Sequence, residues 1–138
     1  MGQAREVTDQ LTDAVMKGDH ERVMALHADD AVTVAPDGGE LIGRQAAGAY
    51  LAGLRAIFPD AAYRTLYAYE DGDTAIDEGI VTGTHTEPLP VPGQDPIPPT
   101  GKSVRFRMAD VTTVRDGRIV SHRFYFDQME ILTQLGVL

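Results

Sequence analysis

Apolar residues in the first third of the chain recur at helical spacing. Val7, Leu11, Ala14 and Val15 form one stripe, and Lys17-Gly18 ends it. Asp19 is placed to cap a second short helix whose apolar side holds Val23, Met24 and Leu26. Ala31–Pro36 reads as a short strand, followed by a turn at Asp37-Gly38-Gly39. A third helix is predicted from about Arg44 to Phe58. Tyr50, Leu51, Leu54 and Phe58 share its inner face, and Pro59 blocks its continuation.

After Pro59 the period changes. Ala62–Glu70, Thr74–Thr86, Val104–Arg115 and Arg118–Phe126 are rich in strand formers, with Asp71-Gly72 and Asp116-Gly117 as hairpin turns. Between the middle two, Glu87–Thr100 holds six of the eight prolines, so it is a long loop and not a central strand. A loop of this length predicts a lid or rim. Met129, Ile131, Leu132 and Leu135 mark a short final helix, stopped by Gly136. The order predicts one α+β domain over residues 1–138. Three N-terminal helices should pack on a strongly curved, mostly antiparallel sheet as a cone-shaped barrel, with a ligand pocket between the layers.

Composition narrows the chemistry. Twenty-one acids against 12 Lys and Arg give a net charge of −9, which argues against nucleic acid and anionic membranes as partners. There is no cysteine, hence no disulfide and no thiolate site. No apolar run approaches the roughly 18 residues of a membrane span, and no signal-peptide pattern opens the chain. A cytoplasmic location is the default expectation. Several motifs fail on one residue. His20-Glu21 begins like a zinc-protease helix, but Met24 stands where the second histidine belongs. Gly101-Lys102-Ser103 ends like a phosphate loop, but Pro96 replaces its first glycine. The expectation is a protein with no cofactor and no metal.

A series of short phrases resembles the SnoaL-like polyketide cyclase family, within the nuclear-transport-factor-2-like and ketosteroid-isomerase-like superfamily. They are Phe58-Pro59-Asp60, Gly83-Thr84-His85-Thr86, Pro99-Thr100-Gly101, Asp116-Gly117-Arg118-Ile119, and Asp127 followed by Leu132 and Gln134-Leu135-Gly136. The resemblance implies a homodimer that acts on a hydrophobic, polyketide-like or other carbonyl compound by acid/base chemistry. It makes Asp127 the general acid/base, with His85 and His122 in or near the pocket.

The residues themselves leave the matter open. A carboxylate in an apolar pocket suits proton abstraction next to a carbonyl. Asp127-Gln128-Met129-Glu130 also has the spacing of a helix capping box. On an ideal strand His122, Phe124 and Phe126 face one way, and Arg123, Tyr125 and Asp127 the other. Both sets cannot line one pocket without a bulge, which ranks His122 below His85. Phe106, Met108 and Asp110 share a strand face expected to look inward, opposite Arg105 and Arg107. Tyr50, Phe58 and Tyr125 complete the expected substrate-binding set. Two alternatives remain: a non-catalytic small-molecule-binding protein of the same fold, and an enzyme resembling the limonene epoxide hydrolases.

Overall fold

The computed structural model describes residues 2–137. Helices α1 (Gln3–Lys17) and α2 (His20–Ala25) lead into strand β1 (His27–Ala35), followed by β2 (Gly39–Ile42) and α3 (Arg44–Ile57). Four long strands follow, β3 (Ala62–Asp71), β4 (Thr74–Thr84), β5 (Ser103–Arg115) and β6 (Arg118–Phe126), and α4 (Gln128–Gln134) closes the chain. They form one six-stranded sheet in the order β2-β1-β6-β5-β4-β3. Every pair is antiparallel except β1 with β6. The fold is thus the expected α+β arrangement of helices on a curved sheet. The sheet is open, with β2 and β3 as its edges, and not a closed barrel.

Local chemistry accounts for the boundaries. Gly18 ends α1 in the left-handed conformation, at φ 69°, and its N–H returns to the carbonyls of Ala14 and Val15. Asp19 caps α2 by accepting from the Arg22 N–H. The segment after Pro36 makes more than a turn, because Gly39–Ile42 adds β2 to the outer edge of β1. β1 also starts earlier than its apolar pattern suggested. A register shift between His27 and Val32 breaks the period there, so alternation shows only in its second half.

Two apolar clusters fill the space between layers. One joins Val7 and Leu11 of α1 and Leu51 of α3 to Val114, Ile119 and Phe124 of the sheet. The other gathers Ile57 and Phe58 with Val104, Phe106, Ile131 and Leu135 at the α4 end.

Candidate active site

The inner face of the sheet changes character along its strands. β5 turns Val104, Phe106, Met108, Asp110, Thr112 and Val114 inward, every second residue as the pleat requires. β6 turns His122, Phe124 and Phe126 inward beside them. Phe106, Met108 and Phe126 line a cavity of about 180 Å³ between sheet and helices. Leu54 and Phe58 of α3 face them, and Leu89–Pro92 of the long loop closes one side. The loop is held by a bridge between Leu89 and Ile97. The cavity wall is almost wholly apolar, and the exceptions are therefore informative.

Asp110 and His122 are the main exceptions. In the β5–β6 register Asp110 lies opposite Phe124, and Thr112 lies opposite His122. The two side chains are therefore diagonal neighbours, within reach of each other. His122 Nε2 lies 2.6 Å from Asp110 Oδ2, and the side chains are only 4% and 10% exposed. Both residues border the cavity. His122 Nδ1 and Asp110 Oδ1 are buried and make no hydrogen bond among the described residues. In the tautomer whose Nε2–H donates to Oδ2, Nδ1 is the acceptor nitrogen of the ring.

Other polar side chains surround the pair, of which Tyr63 also lines the cavity. Asp77 of β4 lies directly opposite Asp110 in register and is buried. Burial pushes its pKa up, and the hydrogen bond from Arg5 works against that rise. The Arg5 guanidinium reaches Asp77 at 3.0 Å and Asp9 at 2.8 Å. Tyr63 of β3 lines the cavity, and its buried hydroxyl has no partner among the described residues. Burial, then the charges of Asp110 and Asp77, push its pKa up, so the phenol keeps its proton. Gly79 makes room for this ring, since a Cβ there would overlap the Tyr63 ring. Behind His122, the buried His27 donates from Nδ1 to the Val23 carbonyl at 2.7 Å. Desolvation lowers its pKa and keeps it neutral.

Other residues expected in the site have other tasks. Asp127 is exposed and lies outside the cavity lining. Its Oδ1 accepts from the N–H of Met129 at 2.9 Å and of Glu130 at 3.4 Å, which makes it the N-cap of α4. The expected pocket-facing Asp127 is corrected accordingly, because strand parity sends it to the opposite side from His122. Tyr125 shares that outer face and is 54% exposed, so it does not line the cavity either. His85 is fully buried but also off the cavity. Its Nδ1 accepts from the Thr100 N–H at 3.2 Å and lies 3.0 Å from Thr100 Oγ1, which pins the end of the long loop. Tyr50 packs on Phe124 and donates its hydroxyl to Asp37 at 2.8 Å, behind the lining. Phe58, Phe106, Met108 and Asp110 line the cavity. Among the described residues no group of three or more His, Asp or Glu side chains converges as metal ligands.

Tyr63 and Asp77 went unnoticed in the sequence. Both lie on alternating strands whose inward parity was readable, and Gly79 within a strand was a signal that something packs closely there.

The SnoaL-like domain family matches the chain over residues 8–122. Solved structures of the same fold include IdmH from Streptomyces antibioticus, described as a candidate polyketide cyclase. It is 30% identical, with 99% of this chain and 100% of that one covered, at a TM-score of 0.79. A candidate polyketide cyclase from Acidithiobacillus ferrooxidans is 28% identical, with 99% and 96% covered, at a TM-score of 0.79. A candidate SnoaL-like polyketide cyclase from Jannaschia sp. CCS1 is 20% identical, with 99% and 93% covered, at a TM-score of 0.86. Among curated proteins, no sequence matches.

Proposed function

The chain belongs to the SnoaL-like domain family, and from that premise we propose that it is a cofactor-free acid/base enzyme acting on a hydrophobic carbonyl compound, as a cyclase or isomerase. The observation that carries this reading is the 2.6 Å contact of His122 with Asp110 on the wall of an apolar cavity. Asp110 holds the imidazole in one tautomer, and His122 Nδ1 removes a proton from the carbon next to the carbonyl. The enolate oxygen that develops accepts a hydrogen bond from Tyr63, whose hydroxyl stays protonated. His122 then returns the proton to the product carbon for an isomerase, or to the new alkoxide for an aldol ring closure. Protons and charge balance within the site, so no redox partner enters.

The polyketide cyclase descriptions of the related structures support this class of substrate. The reading moves the catalytic role from Asp127 to Asp110 and His122. Its test is a panel of bicyclic aromatic ketones offered to the wild type and to His122→Gln. General acid/base catalysis contributes about 10²- to 10⁴-fold, and His122→Gln should lose that much turnover while still binding the ketone. Undiminished turnover in that variant would refute the assignment.

A homodimer through the outer sheet face is part of the same proposal. Tyr67, Tyr69, Ile76 and Tyr125 are large side chains left exposed on β3, β4 and β6.

A further inference from the structure

Arg55 sets a second, electrostatic requirement on the ligand. Of the ten arginines, Arg5, Arg22, Arg44, Arg107 and Arg115 form ion pairs with acids, and Arg123 reaches the Ser121 hydroxyl. Arg64, Arg105 and Arg118 have no side-chain partner among the described residues, and all three are exposed to water. Arg55 also has none, yet it is half-buried and lines the cavity. Among the described residues it is the one lining residue with a permanent positive charge. A guanidinium in that position lacks full hydration and, among the described residues, a counter-ion, a costly arrangement that a ligand's charge would relieve.

Position gives the requirement a direction. Arg55 stands on the last turn of α3, in the helical wall, and Asp110 stands in the sheet wall. Asp37 also lines the cavity, but its Oδ1 is engaged by the Tyr50 hydroxyl. Arg55 also borders a second groove, beside Gly18 and His20, and a Cβ at Gly18 would lie 3.2 Å from its Nε, so the side chain stands between the two openings.

We propose that Arg55 is a binding residue for an anionic group, a carboxylate above all, on an otherwise apolar ligand. That group would lie against the helical wall, with the reacting carbonyl turned to Asp110 and His122. The inference rests on the reading of the cavity as a substrate site and names the class of substrate more closely. Arg55 also lies beside the C-terminal end of α1, where a cation interacts well with the helix dipole. That purely structural role predicts a loss of stability and no change in ligand preference.

Naphthoate and naphthamide separate the two, being of nearly equal shape and differing in charge. Calorimetric titration of the wild type should show naphthoate bound about tenfold or more tightly than naphthamide, the scale of a charged hydrogen bond. Arg55→Met should erase that ratio, and Arg55→Lys should keep part of it. Equal binding of both probes by the wild type would overturn the role of Arg55 and leave the apolar cavity as a ligand site. A ratio unchanged in Arg55→Met would overturn it in favour of the helix-end role. Binding of neither probe would overturn it together with the reading of the cavity as a site for hydrophobic ligands.

Discussion

At the scale of single residues, one parity decides which side chains reach the cavity. β6 turns His122, Phe124 and Phe126 inward, and the alternation continues unbroken to the end of the strand. Asp127 then falls on the outer side and takes the N–H groups of α4. Asparagine caps nearly as well as aspartate, so Asp127→Asn should leave stability almost unchanged. Asp127→Ala should cost about 1 kcal/mol, read from chemical denaturation. Both should retain activity. His27 carries a separate prediction. Its pKa in the folded chain lies below the ordinary 6.5, chiefly because it is desolvated. As pH falls through 6.5 the unfolded chain takes up a proton there before the folded chain does, so stability is lost in that direction. Melting temperature should fall between about pH 7.5 and pH 5.5, and His27→Gln should flatten the slope. Asp77 acts oppositely and in another window. Its raised pKa favours the folded state as pH drops toward 3.8.

At the scale of elements, the phrases that identified the family are fasteners. Asp60 accepts from the N–H and hydroxyl of Thr84, both at 2.7 Å, which ties the approach to β3 to the end of β4. Gly83 leaves room for Phe58, whose Cβ would stand 2.9 Å from an added methyl. His85 holds Thr100, and Gln134 bonds both backbone groups of Arg105 at 2.7 and 2.8 Å. Such residues hold neighbouring elements together at fixed places in the fold, and the motifs they make are short and local. The helices, four long strands and proline-rich loop were legible for the same reason, in periodicity and turn chemistry. The site was less legible, because Asp77, Asp110, Tyr63 and His122 come from four strands and meet only through register. No spacing along one segment encodes that meeting. His85, which strand parity placed above His122, lies off the cavity and holds Thr100 instead. The loop yields its own prediction. Leu89 and Val91 close one side of the cavity, so replacing both with glycine should weaken binding of an apolar probe by about tenfold or more, from the lost burial of ligand. Leu89 also packs on the cluster at the α4 end, so the melting temperature should fall somewhat, and affinities are compared where both proteins are fully folded. Unchanged affinity would show that the loop does not act as a lid.

At the scale of the whole molecule, the helices cover one face of the sheet and leave the other to solvent or to a partner. Tyr69 lies opposite Ile76 in register, and Ile76 opposite Val111, so apolar side chains form a row across the outer face. Pairing of two such faces would bury them, and light scattering should give about twice the 14.9 kDa chain mass at micromolar concentration. A mass near that of one chain would refute the dimer. The inner face holds the central claim, that this fold moves protons at Asp110 and His122. Hydrogen–deuterium exchange at the carbon beside the carbonyl of tetralone, followed by NMR in deuterated water, tests it without the native substrate. The wild type and Asp127→Asn should accelerate exchange equally, and Asp110→Asn should be slower by about 10²-fold or more. Equal rates in the wild type and Asp110→Asn, or a loss confined to Asp127→Asn, would contradict the account.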